Sequence, residues 1–231
     1  MDIHPKALLQ PLLETRGNEA AVLFSGQTAA LVHMASRCMP GIRVVWIDTG
    51  ALHPETAAFV HDVAARYDIT FEILNVNQEH VAHMTPDYVR AAVRNRMICC
   101  AQRKVAPLEA RLRQGDVAFL IDGVHRDVDT PTRTAPPTVR NDEQLSAATG
   151  IHLERVSPFA SWTHAEVRAY IEAEHIPCNP LLQRGYVSIG CAPCTRRTTP
   201  GEPKRAGRWW WEARDSAHTE CGLCFAATEP T

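Results

Sequence analysis

Residues 19–35 read EAAVLFSGQTAALVHMA. The first part, 19–24, is a short strand buried on both faces, because its apolar run is not broken by alternating polar residues. Ser25-Gly26 then supplies a turn, and the apolar spacing of 29–35 is helical. Outward from this unit the pattern repeats. IRVVWI (42–47) is a strand, and 54–67 has helical spacing with Pro54 suited to a first helical position. A strand follows at 70–76, a helix at 105–113 and a strand at 117–121, and 152–156 reads as a fifth. A helix over 163–175 takes Thr163 as N-cap with Glu166 three residues on. Strands alternating with helices give an α/β fold: a mainly parallel twisted sheet with flanking helices. In such sheets ligands gather beyond the carboxyl ends of the strands. The loops that would meet them are Ser25-Gly26, Asp48-Thr49-Gly50 and DGVHR (122–126). Ser25 and Gly26 offer a hydroxyl and backbone N–H groups to an anion, and Asp48 suits a nucleotide hydroxyl or amine. Each of these also reads as an ordinary turn.

The chain has 231 residues, with 24 Lys plus Arg against 26 Asp plus Glu and a formal net charge of −2. No global field favours nucleic acid or an anionic membrane, so any anion handled here is held locally. No stretch approaches the roughly 18 apolar residues that span a bilayer. Residues 1–20 lack a basic start followed by an apolar run and a cleavage site. The expected setting is cytoplasmic and reducing, where structural disulfides are rare. Length suggests one large domain or a domain with an appendage. The division expected is 1–194 for the α/β unit and 195–231 for a C-terminal segment rich in Pro, Thr, Arg and Gly. The stretch 127–150 is the other irregular region, and a homo-oligomer is compatible with the composition.

Eight cysteines are present. Cys99-Cys100 and Cys191-Ala192-Pro193-Cys194 form two close pairs, and Cys221 stands in the tail sequence ECGLC (220–224). Two close pairs from distant segments supply four thiolates to a soft metal, which leaves Cys221 free for nucleophilic chemistry. Spacing alone leaves zinc and a [4Fe-4S] cluster both open, although an adjacent Cys-Cys pair is unusual for zinc.

Four segments, WIDTGALHPET (46–56), CCAQRKVAPL (99–108), RGYVSIGCAPCTRRTTPGEPKRAGRWWWE (184–212) and ECGL (220–223), resemble the sulfonucleotide reductases of the iron–sulfur, adenylyl-sulfate (APS) type. The likeness runs over 20–221. It implies an adenine-nucleotide α-hydrolase-like sheet and one [4Fe-4S] cluster per chain on Cys99, Cys100, Cys191 and Cys194. It also implies that Cys221 attacks the sulfate sulfur of APS, leaving an S-sulfocysteine that thioredoxin resolves to sulfite in assimilatory sulfate reduction. On the same resemblance Lys104 lies between cluster and substrate, Arg205 and Arg208 face the phosphosulfate, and Arg126 and Arg133 line the nucleotide side. Three positions depart from the family pattern. SGQTA (25–29) lacks a carboxylate pair, His125 replaces a typical arginine, and Cys224 replaces a tail histidine and is either a resolving thiol or an inert substitution. Two other functions stay open on sequence: a same-fold enzyme for 3′-phosphorylated APS (PAPS) or another nucleotide-activated sulfur compound, and a non-catalytic Cys₄ redox sensor. Trp209, Trp210 and Trp211 are expected to wedge the root of the tail against the core. His53, His125 and His218 are expected to be structural or solvent-facing, since AMP leaves without a general acid.

Overall fold

The computed structural model describes residues 4–127, 130–212 and 220–223. Its elements in chain order begin with α1 (Pro5–Arg16), β1 (Ala20–Phe24), α2 (Ala30–Cys38), β2 (Val44–Asp48), α3 (Pro54–Tyr67) and β3 (Phe71–Asn75). Next come α4 (Gln78–Val81), α5 (Pro86–Ala91), α6 (Val93–Cys100), a π-helical turn (Ala101–Val105) and α7 (Ala106–Leu112). The remainder is β4 (Phe119–Ile121), β5 (Val139–Asn141), α8 (Glu143–Thr149), β6 (Glu154–Val156) and α9 (His164–Ala173), with single 3₁₀ turns at Pro131–Arg133, Pro180–Arg184 and Ala192–Cys194.

The six strands form one sheet in the order β3-β2-β1-β4-β6-β5, parallel except for β5, which runs antiparallel to β6. All five residues of β1 are buried, as an apolar run in a central parallel strand requires. The twofold alternation of strand side chains then divides the core in two. Val22, Phe24, Val44 and Trp46 pack on one face with α1, α2, α3 and α9, while Ala21, Leu23, Val45 and Ile47 pack on the other with Leu108, Leu112 and Leu145 of α7 and α8. Thr163 caps α9 through a reciprocal bond pair with Glu166.

From β1 the chain passes to β2 on one side, whereas β4 lies on the other, so the strand order reverses between β1 and β4. The loops after these two strands splay apart there and open a crevice. The expected helix at 105–113 is the last part of a longer helical rod made by α6, the π turn and α7. Among the described residues no helix is long and apolar enough to cross a membrane.

Candidate active site

The rod explains how an adjacent cysteine pair serves a site. Cys99 and Cys100 end α6, and the π turn that follows, closed by Ala106 N–H on the Ala101 carbonyl, carries Lys104 on into the interior. Single π turns inside helices recur at functional positions, because the wider turn re-aims side chains. The partner loop is fixed from two directions. Cys194 N–H donates to the Cys191 carbonyl at 2.9 Å, and Ala192 N–H donates to the Ala51 carbonyl at 2.8 Å, tying the loop to the segment after β2. Thr49 Oγ1 lies 3.3 Å from Cys191 Sγ in hydrogen-bond contact.

All four thiols are buried and line one small cavity, together with Met84, Val89, Arg96, Lys104 and Trp209. Among the described residues no group of three or more His, Cys, Asp or Glu side chains is poised to hold a single metal ion. Four buried thiols around one void nevertheless fit a soft thiolate-bound metal group. Burial pushes the Cys100 thiol up to about 12 and Cys194 up to about 11, and raises Cys99 as well. A metal group binding here must therefore displace thiol protons.

Lys104 and Cys191 also line a second cavity of about 650 Å³, which occupies the crevice beyond β1, β2 and β4. Its volume suits a nucleotide-sized ligand. Ser25, Gln27 and Thr28 form one side, Asp122, Gly123 and His125 another, and Phe159, Val167 and Ile171 an apolar end. Arg133, Arg205, Arg208, Glu220 and Cys221 complete the wall beside the thiols.

The electrostatics centre on Lys104 and Cys221. Burial lowers the pKa of Lys104, but the sulfurs of Cys221, Cys100 and Cys191 more than reverse this and raise it, so the ammonium stays charged. Burial pushes the Cys221 thiol up, but Lys104, the Leu223 backbone N–H and Arg208 together bring it below its ordinary range. That is the environment of a reactive thiolate.

Arg208 donates Nη1 to the Ile189 carbonyl at 3.1 Å, and burial brings Arg205 down to about 10. Arg133 makes a bidentate pair with Glu220 at 2.7 and 2.9 Å, and Arg205 Nη2 lies 3.6 Å from the same carboxylate. Gly26, with φ of +72°, gives its carbonyl to Asn179 Nδ2 at 2.9 Å and leaves no room for a Cβ beside Thr56. Three expected residues do not line the cavity, Gly26 among them. Asp48 accepts Gly50 N–H at 2.9 Å in an Asx turn, and Arg126 is exposed, its backbone bridged to Thr163. Trp209 is buried against Cys99, Cys191 and Cys194, while Trp210 faces outward. His53 packs edge-on to Tyr186, and burial brings His125 down to about 4, so it is neutral. Cys224 and His218 lie outside the described residues.

Four contributors act through partners that the chain does not foretell. Arg96 is wholly buried, pairs with Glu212 at 2.6 Å and donates to the Glu220 carbonyl at 3.3 Å. Arg155, Thr49 and Glu220 likewise act through partners remote in sequence, so only the fold brings them to the site.

The phosphoadenosine phosphosulfate reductase domain family matches residues 19–197. The adenosine 5′-phosphosulfate reductase of Streptomyces coelicolor is 39% identical over 217 residues, covering 94% of this chain and 86% of that protein. Its Pseudomonas aeruginosa counterpart is 34% identical over 233 residues, covering 96% and 82%. Among solved structures, the phosphoadenylyl-sulfate reductase of Candida auris in its phosphate complex aligns with a TM-score of 0.66 at 24% identity, over 82% of this chain and 89% of that one. The FMN adenylyltransferase of Candida glabrata aligns at 0.60 with 14% identity, over 90% and 70%, a likeness of fold alone. The chain belongs to the phosphoadenosine phosphosulfate reductase domain family, within its adenosine 5′-phosphosulfate reductase branch.

Proposed function

We propose that this chain reduces adenosine 5′-phosphosulfate to sulfite and AMP, in assimilatory sulfate reduction. One observation carries the reading: the tail thiol of Cys221 lines a nucleotide-sized cavity with Lys104 and Arg208 acting on its charge. The Cys221 thiolate attacks the sulfate sulfur. An S–S bond forms, the bridging S–O bond breaks, and its electron pair leaves on the AMP phosphate. Lys104, Arg205 and Arg208 offset the repulsion between two anions and hold the group in line. A thioredoxin-type dithiol then attacks Cys221 Sγ, and sulfite departs with the S–S pair. The second thiol of that reductant closes its own disulfide and returns Cys221 to the thiolate.

Cys99, Cys100, Cys191 and Cys194 would hold a [4Fe-4S] cluster. When bound, the cluster supplies negative charge behind Lys104 and ties the end of α6 to the 191–194 loop. We assign 1–194 to binding the nucleotide and the cluster, and 195–231 to the arginines and the nucleophile. The test is sulfite release by anaerobically purified protein given APS or PAPS with thioredoxin present. Sulfite from APS and little from PAPS supports the reading, and sulfite from neither removes it.

A further inference from the structure

Arg155 is a contributor to the site that the proposed chemistry does not use. It belongs to β6 and is 1% exposed. Its Nε donates to Asp142 at 2.7 Å, Nη1 to Asp122 at 3.2 Å and Nη2 to the Leu223 carbonyl at 2.7 Å. Both carboxylates are themselves held. Asp142 caps α8 through Leu145 N–H at 3.1 Å, while Asp122 accepts Val124 N–H at 3.1 Å and the Ser157 hydroxyl at 2.8 Å. A planar guanidinium forked between two fixed carboxylates has little freedom, so β6, α8 and the loop after β4 set where its third arm points.

That third arm reaches 68 residues along the chain to the segment bearing Cys221. Leu223 receives it at the carbonyl, and its N–H helps to lower the pKa of Cys221, two residues before it. The Leu223 side chain packs on the core cluster formed by Leu108, Leu112 and Leu145. Leu223 is thus gripped by the sheet two residues from the thiol, and both residues line the large cavity. Arg155 itself does not line the large cavity.

We propose that Arg155 is a positioning residue for Cys221: it docks Leu223 on the sheet so that the thiol faces the cavity, without touching substrate. The proposal rests on Cys221 being the nucleophile. A guanidinium that merely neutralises Asp122 and Asp142 would matter for folding and leave the nucleophile's reactivity alone.

Three variants of the full chain separate these roles. Arg155→Lys keeps the charge but cannot fork to three acceptors. Leu223→Pro removes the N–H, and Leu223→Ala keeps both backbone groups. Each is given APS without reductant, and the sulfo-adduct at Cys221 is timed by intact mass. AMP affinity and iodoacetamide alkylation of Cys221, mapped against Cys38 and Cys178, are measured alongside. Arg155→Lys and Leu223→Pro should slow adduct formation by about a hundredfold, the scale of a misplaced reacting group. AMP affinity should hold, and alkylation should quicken at Cys221 only. Leu223→Ala, which keeps the bond from Arg155, should slow the adduct less than Leu223→Pro. An unchanged adduct rate in Arg155→Lys overturns the proposal, as does faster alkylation of all three cysteines together. If the wild type forms no adduct, the nucleophile reading falls, and the alkylation pattern still decides whether Arg155 docks the tail.

Discussion

Arg208 lies so close across Gly190 that a Cβ on the glycine would overlap the guanidinium. The glycine makes space for a cation beside the Cys191 loop. Since the tip of an arginine yields more easily than backbone, Gly190→Ala should fold and displace Arg208. Sulfo-adduct formation should then fall by on the order of 10²-fold, as for loss of one charge-stabilising donor. Arg208→Ala should match it. A full rate in Gly190→Ala beside a crippled Arg208→Ala would show that the contact does not set the arginine's position.

Cys221→Ser should bind AMP as the wild type does and form no sulfo-adduct, because the hydroxyl is not a competent nucleophile at neutral pH. Intact mass after APS treatment, without reductant, reads the outcome. The wild type should gain one SO₃ at Cys221, and an adduct mapped to Cys178 or Cys38 would reassign the chemistry.

The four buried thiols should confer a brown colour, with about four irons per chain. Ser at any of positions 99, 100, 191 or 194 should lose iron and sulfite production together. Stoichiometric zinc in anaerobically purified protein would count against the cluster.

Buried and exposed ion pairs should behave differently. Arg96 and Glu212 are 0% and 6% exposed, so Arg96→Ala strands a carboxylate and should cost about 3–5 kcal/mol in urea unfolding. Arg168 and Glu172 pair across an exposed helix turn, and Arg168→Ala should leave the urea midpoint nearly unchanged.

His125 provides a pH signature. Burial, then His164 and Arg133, bring its pKa down to about 4 from an unfolded value of 6.5. The folded protein keeps it neutral while the unfolded chain takes up a proton below 6.5. The stability tied to this difference is therefore whole above 6.5 and lost as the pH falls to about 4, about 3 kcal/mol in all. His125→Asn should flatten the acid limb of the urea midpoint against pH. An unchanged limb would assign it to other groups, His164 among them.

The central strands were legible because burial on both faces leaves an unbroken apolar run, and α3 was bounded by Pro54 at its start. α6 was not, because VRNRMICC presents arginines and an asparagine where an amphipathic pattern would be sought. β5 and α8 fall in the Pro- and Thr-rich stretch 127–150, which read as irregular; β5 is a three-residue edge strand held by β6. Of the site, the cysteine pairs announced themselves through spacing, and the arginines near the tail through resemblance. Arg155 did not, since one charged residue in a short strand ordinarily points to solvent. Its two carboxylates come from residues 122 and 142, a coincidence that only the fold creates.

The pairing of Glu220 with Arg133 and Arg205 bears on how the cleft responds to ionic strength. Glu220 is 4% exposed, so dissolved salt hardly screens this contact. Counting arginines around the cavity overstates the field that an incoming nucleotide meets when the tail is in place. Added salt should weaken nucleotide affinity less than that count implies, and Glu220→Gln should steepen the dependence. The segment that delivers the nucleophile brings its own counterion.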